Sequence, residues 1–310
     1  MIITRILSTS HLVGEHLYSL GNCFPKLTVA PFRSAEWMSS LGTAEAVIVM
    51  LSEPITEDDL ELAPHLKVIG TYSVGVNHLP LRACKDRNIR IVNTPEVLTD
   101  ATADLALTIL LSLTRRLKEG EDLARSGSWK GWAPNQILGT SLSGKLCGII
   151  GSGPIGKAFA RRVAAIGMKP VFWDRNDDRS PVDFGYAIAP RLTLNDLLKR
   201  STVISLHCPL TTETVGLLSK RNLQQLPIGA FIINTARGGI LDEEAAIDML
   251  HDNILGGVGL DVYDGEPNIN KRWFTAPRTV ILPHLGSATV ETRSAMAKLL
   301  CEGLRVAIRS

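Results

Sequence analysis

Cysteine is scarce and scattered in this sequence. Cys23, Cys84, Cys147, Cys208 and Cys301 are the only five in 310 residues, and no two form a CxxC pair. The odd number and wide spacing exclude a disulfide framework, argue against a zinc site, and point to reduced thiols. Charge of one sign is also lacking. Lys and Arg number 33 against 31 Asp and Glu, so the net charge of +2 offers no hold on nucleic acid or an anionic membrane surface. Long apolar runs are missing, and "ADLALTILLSL" at 103–113 is too short to span a bilayer. The first residues, "MIITRILSTSHLVGEHL", lack the apolar core and small-residue cleavage site of a signal peptide. No repeat or low-complexity tract is present. The expectation is a cytoplasmic protein with neither nucleic acid nor membrane as partner.

What is there suits a globular chain. Hydrophobic residues make up 45% and charged residues 21%, and the length accommodates two domains with their own cores. "AVIVML" (46–51), "LKVIGTYS" (66–73) and "IRIVNT" (89–94) read as buried strands with helix-compatible sequence after each. The segment 97–127 reads as one long amphipathic helix. A second series of strand patterns follows: 145–151, 168–174, 202–208, 230–236, 256–263 and 279–284, with helical patterns at 156–167 and 242–253. This alternation predicts an α/β protein with two parallel sheets, each covered on both faces.

Within the second series, "LCGIIGSGPIGKAF" sets a glycine loop between a strand and a helix. Gly151 permits a tight turn, Gly153 lets backbone approach a pyrophosphate, and Gly156 lets the helix pack closely. Pro154 and Ile155 would open the helix, whose N-terminal N–H groups attract phosphate. Asp174 ends the next strand, 18 residues past Gly156, where a carboxylate can bind ribose hydroxyls. "GSGPIGK" also matches the start of a triphosphate-binding loop, but Ala158 stands where that motif needs a magnesium-binding hydroxyl. Asp174 would repel the 2′-phosphate of NADP, which favours NAD, while the adjacent Arg175 could soften that repulsion.

Three further segments, "INTARGG" (233–239), "LDVYDGEP" (260–267) and "LPHLGS" (282–287), each follow a strand. Ligands of open α/β sheets gather at such strand ends. Arg237 offers a planar cationic fork for a carboxylate or ketone oxygen. His284 could give a proton to a carbonyl oxygen as hydride reaches its carbon, with Glu266 bonding the other ring nitrogen and setting the tautomer. Each of the three also has an ordinary structural reading: a surface ion pair, a solvated loop, a core histidine. Their occurrence together behind a dinucleotide loop favours the catalytic one.

The order GSGPIG, NTARGG, DVYDGEP, LPHLGSAT resembles the D-isomer-specific 2-hydroxyacid dehydrogenase family, from about residue 46 to the C-terminus. The resemblance implies a Rossmann NAD(P)-binding domain (98–285) inserted into a discontinuous, flavodoxin-like substrate domain (1–97 and 286–310). It places the active site in the cleft between them and implies a homodimer formed mainly through the nucleotide domain. It implies the catalytic set Arg237, Glu266 and His284, and substrate contacts from Leu51, Ser73, Val74, Gly75, Arg237 and Ser287. The N–H groups of Val74 and Gly75 would hold the substrate carboxylate. Cofactor contacts are implied at Thr102, Gly151, Gly153, Pro154, Ile155, Gly156, Asp174 and Arg175. Others fall on Cys208, Pro209, Thr214, Thr235, Ala236, Arg237, Asp261, His284 and Gly286. Asn77 departs from the Asp common at its position.

Within the family, "SVGVNHL" and "LPHLGSATVETR" most resemble glyoxylate/hydroxypyruvate reductases, which implies reduction of small 2-oxo acids with no metal. "EPNIN" also resembles 2-ketogluconate reductases of longer sugar acids, and dinucleotide-sensing corepressors share the catalytic set without needing turnover. In the reductases a tryptophan near here reaches the partner's active site, and Trp132 is the candidate. Residues 1–45 resemble nothing specific.

Overall fold

In a computed structural model, which describes residues 5–10, 12, 27–176 and 179–309, the chain divides into two compact units. One runs to Leu98 and resumes at Ser287; the other is Thr99–Gly286. Cys23 and most of the N-terminal stretch read for a signal peptide lie outside the described residues.

The first unit is built on β1 (Ile6–Ser8), β2 (Leu27–Val29), β3 (Ala46–Val49), β4 (Val68–Thr71) and β5 (Arg90–Val92). All pair in parallel, in the order β2-β1-β3-β4-β5. β3 and β4 are buried at every residue, as strands covered on both faces must be. Leu7, Val47, Val49 and Ile69 point to one face, where α1 (Ala35–Leu41), α2 (Glu57–Glu61) and α3 (Leu81–Asp86) supply Trp37, Leu41, Leu60 and Cys84. The C-terminal helix Val290–Arg309 packs against β4 and β5 and buries Met296, Leu300 and Leu304. The order reverses between β1 and β3, so the loops after β3 and β4 open at the crevice end of the sheet. β1 and β2, three residues each, went unread in the sequence.

The second unit begins with α4 (Thr99–Thr114) and α5 (Leu117–Arg125). They correct the expectation of one continuous helix: Arg116 takes φ +53°, and the chain breaks there. The cause is local. The Thr140 N–H donates to the Thr114 carbonyl (2.8 Å), while the Thr114 hydroxyl turns back to Leu110 O (2.8 Å). A carbonyl captured from outside no longer supports the next helical turn.

Six parallel strands follow: β6 (Leu146–Ile150), β7 (Lys169–Trp173), then, past the hairpin β8 (Val182–Asp183) and β9 (Ile188–Ala189), β10 (Val203–Leu206), β11 (Ala230–Asn234), β12 (Leu255–Leu260) and β13 (Thr279–Ile281). Their order is β13-β12-β11-β10-β6-β7. Alternation with both faces buried explains the near-continuous apolar runs. Ile149, Val203, Phe231 and Ile233 join α4 and α6 (Pro154–Ala165) on one side. Ile150, Ile204, Leu206 and Ile232 join α7 (Leu194–Arg200), α8 (Lys220–Leu223) and α9 (Glu243–His251) on the other. "VILPH" is not the buried strand its composition suggests. β13 is the sheet's edge, half-buried throughout, and it ends at Ile281, three residues before His284.

Candidate active site

The sheet order switches between β6 and β10, and the glycine loop lies there. Gly151 has φ +105°, and a Cβ on it would stand 2.7 Å from His207 O at the end of β10. α6 starts with Pro154 in its first turn, and its N-cap Gly153 makes no side-chain cap bond. The first-turn N–H groups are therefore left for a ligand. A Cβ at Gly156 would sit 2.0 Å from Gly151 O, whereas at Gly153 it would meet nothing within 4 Å.

These differences make a paired prediction. Gly156→Ala overpacks backbone against backbone and should destabilise the fold by about 1–3 kcal/mol in a denaturant melt. Gly153→Ala should leave the melt in place and weaken dinucleotide binding, since its methyl enters the open space. Equal melting of the two variants would contradict this reading of the loop.

Other contacts expected for the cofactor lie on the loops at the same sheet end. Cys208 and Pro209 follow β10, and burial raises the Cys208 thiol to about 11, keeping it protonated. The Thr214 hydroxyl donates to Pro209 O (2.6 Å) and accepts from the Thr211 N–H (2.8 Å), so it shapes its own loop. Thr235 and Ala236 follow β11; Thr235 Oγ1 is buried without a partner among the described residues. Open space at Gly153, an uncapped helix start and this orphan hydroxyl together fit a dinucleotide.

Arg237 is set by a residue the sequence reading passed over. Asn234, wholly buried at the end of β11, accepts from the Ala236 N–H (3.0 Å) and donates to Arg237 O (2.8 Å). This clamp fixes the turn, and the Arg237 guanidinium donates to Ala236 O (2.6 Å). Burial pulls its proton affinity below the ordinary value, opposed by the charge of Glu266.

Glu266 accepts from the Tyr263 N–H through Oε1 (2.8 Å) and faces His284 Nδ1 through Oε2 (2.8 Å). Burial alone would raise this carboxyl. The hydrogen bond and charge of His284, the Tyr263 amide and Arg237 outweigh it and hold the group below its usual range. An ionised Glu266 accepts a hydrogen bond from Nδ1–H, which sets the ring's orientation and leaves Nε2 as its other polar atom. The loop carrying Glu266 is itself held from behind: Glu243, in the first turn of α9, accepts from the Asp264 N–H (2.8 Å) and from Trp273 Nε1 (2.6 Å).

His284 stands in the left-handed region, φ +56°, unusual for a residue with a Cβ. Asp261 enforces the turn. Its carboxylate, almost fully buried after β12, accepts from the N–H groups of Leu285 (2.6 Å) and Gly286 (2.7 Å). The Thr102 hydroxyl donates to Gly286 O (3.0 Å). Tyr263 Oη donates to Leu282 O (2.8 Å) from the other side.

Burial raises Asp261 from 3.8 to about 6, against the opposing pull of the Leu285 amide, His284 and the Gly286 amide. The folded chain thus holds this proton more tightly than the unfolded one. That stabilising contribution is complete below about pH 4 and lost as pH rises through about 6. Across that window the wild type should lose up to about 3 kcal/mol of unfolding free energy relative to Asp261→Asn. Parallel stability–pH curves for the two proteins would remove the assignment.

In the first unit, Leu51 follows β3 and Ser73, Val74 and Gly75 follow β4. Ser73 Oγ donates to Gly75 O (2.6 Å), and Asn93 Nδ2 donates to Val74 O (2.9 Å). These bonds hold the loop's carbonyls, while the Val74 and Gly75 N–H groups have no acceptor among the described residues. Ser287 opens the returning segment of this unit.

At the ribose end of the glycine loop, Asp174 accepts the Ser152 N–H (2.7 Å) and lies 3.1 Å from Arg191 Nε. Arg175 instead reaches Thr211 and Glu213 (3.4 Å each). Arg191 belongs to no motif that marks it in the sequence.

Comparison with known proteins gives the family. The family model described as D-isomer specific 2-hydroxyacid dehydrogenase, NAD binding domain, matches residues 107–286. Glyoxylate reductase of Thermococcus litoralis is 40% identical over 271 residues, covering 86% of this chain and 81% of its own. The crystal structure of the TT0316 protein from Thermus thermophilus superposes with TM-score 0.91 at 40% identity, over 99% of this chain and 97% of that one. An NADPH-dependent glyoxylate/hydroxypyruvate reductase from Sinorhizobium meliloti, in complex with NADP and malonate, gives 0.85 at 28% identity, over 98% and 93%. The chain belongs to the D-isomer-specific 2-hydroxyacid dehydrogenases. It is an NAD(P)-dependent oxidoreductase whose second unit is the Rossmann dinucleotide-binding domain.

Proposed function

We propose that this protein reduces small 2-oxo acids, glyoxylate and hydroxypyruvate first among them, to 2-hydroxy acids. The observation that carries the reading is the Glu266–His284 pair at 2.8 Å, which orients one ring nitrogen inward and frees the other. When bound, the reduced nicotinamide supplies hydride to the keto carbon. His284 Nε2 gives its proton to the oxygen of that carbon, and Glu266 holds the ring in place through Nδ1. Arg237 holds and polarises the same oxygen with a fixed positive charge in a poorly hydrated place. In the first unit, the Val74 and Gly75 N–H groups are the donors assigned to the substrate carboxylate. Asp261 and Thr102 act on the backbone that presents His284.

The reading extends to a homodimer formed through the second unit. α5 buries none of its residues, and Leu117, Leu138 and Trp132 are exposed, the last at 83%. Covering them with a second copy would remove a large apolar surface from water. The reading also carries a cytoplasmic setting; the four described cysteines are free, and among the described residues no helix is long and apolar enough to cross a membrane.

The test is loss of the reduced-nicotinamide absorbance across a panel of 2-oxo acids. Turnover of glyoxylate or hydroxypyruvate is expected. Cofactor binding with no turnover of any acid would overturn the proposal in favour of a dinucleotide sensor.

A further inference from the structure

Asp174 follows β7 directly and is a carboxylate, the residue type that binds ribose hydroxyls and repels a 2′-phosphate. Its surroundings do not leave that charge bare. Arg191 lies 17 positions downstream, yet it bridges in parallel to Phe172, next to the last residue of β7. The Phe172 N–H donates to Pro190 O (3.0 Å) and the Leu192 N–H to Phe172 O (2.9 Å), so the backbone position of Arg191 is fixed on both sides. Its Nε lies 3.1 Å from Asp174 Oδ2, and its Nη2 donates to Ser152 Oγ (3.1 Å) within the glycine loop itself. The side chains are only 12% and 18% exposed, so this ion pair is poorly screened, unlike the exposed Arg175–Glu213 pair. Asp174 Oδ2 accepts no hydrogen bond among the described residues; its contact with Arg191 is one of charge rather than an aligned N–H···O.

The consequence is specific to the adenosine end of the site, and it rests on the dinucleotide lying along Gly151–Gly156. We propose that Asp174 and Arg191 form an exchangeable pair that lets this subsite take either a ribose 2′-hydroxyl or a 2′-phosphate. With the hydroxyl, Asp174 Oδ2 is the acceptor, and Arg191 competes for that oxygen. With the phosphate, the Arg191 fork turns from carboxylate to phosphate, where Ser152 Oγ adds a donor. Arg191 thus lowers the preference for NAD that Asp174 alone would impose. Arg suits this exchange because its planar fork matches carboxylate and phosphate alike.

Calorimetric titration of the whole protein with 5′-AMP and with 2′,5′-ADP (adenosine 2′,5′-bisphosphate), two fragments differing only by the 2′-phosphate, tests this without turnover. The wild type should bind both, within about 10-fold of each other. Arg191→Ala should bind 2′,5′-ADP about 10-fold or more weakly and 5′-AMP several-fold more tightly, because one charge-assisted contact is lost and one competitor is gone. Arg191→Gln, which keeps the stem and a donor, should shift the ratio the same way if the alanine variant proves unstable in a thermal melt. Equal weakening of both fragments would make Arg191 a scaffold for the loop and overturn the proposal while leaving the dinucleotide site standing. An unchanged ratio in both variants would overturn it too. Failure of the wild type to bind either fragment would remove the site, and the proposal with it.

Discussion

His284→Asn lowers kcat for 2-oxo acid reduction by roughly 10²–10⁴-fold, the usual contribution of a positioned general acid. Asparagine is the informative replacement because the backbone here has φ +56°. Asn visits the left-handed region readily, so the turn held by Asp261 on the Leu285 and Gly286 amides should persist. A β-branched replacement would strain that turn and confuse loss of the acid with loss of the fold. The amide can still accept or donate a hydrogen bond, but it has no proton to give at neutral pH. The expected result is therefore a fall in kcat with dinucleotide affinity close to that of the wild type. Calorimetric titration with NADH beside steady-state kinetics checks both halves.

Arg237→Lys should cost about 10²-fold or more in kcat/KM for glyoxylate, even though the charge is kept. Arg237 is largely buried, and one guanidinium nitrogen is already committed to Ala236 O. The fork can make that bond and still direct its remaining donors elsewhere. An ammonium is a single point on a flexible stem and cannot do both. It also loses its proton more readily when buried. If Arg237 stabilises the developing alkoxide, the loss falls on kcat as well as on KM; if it only binds substrate, KM alone rises. Arg237→Ala leaves a hole that free guanidinium should partly fill, restoring activity in a concentration-dependent way. A lysine variant within about threefold of the wild type would take Arg237 out of the chemistry.

Much of the second unit was legible because its strands are long enough to show a pattern and its loops carry unusual chemistry. Gly151 and Gly153 stand between an apolar run and a helix, and Gly156 lies in that helix's first turn. Arg237, Glu266 and His284 could be picked out because each follows a strand, and strand ends of a parallel sheet converge. Asn234 lay within the same motif, yet its role is a pair of backbone bonds that composition does not reveal. Arg191 was out of reach for a different reason: only the parallel register of Phe172 brings it to Asp174, and register is a long-range fact. The break at Arg116 depends on the Thr114 carbonyl being taken by Thr140, far downstream of the helix. β13 was misread because three apolar residues look alike at the edge and the centre of a sheet.

Above all, we propose that the Glu266–His284 pair delivers the proton. Single-turnover oxidation of bound NADH by saturating glyoxylate, in the wild type, Glu266→Gln and His284→Asn, tests it most directly. A fast phase is expected in the wild type, an intermediate rate in Glu266→Gln and a phase slower by about 10²-fold or more in His284→Asn. The amount of NADH bound should be equal in all three. A His284→Asn phase as fast as that of the wild type would contradict it.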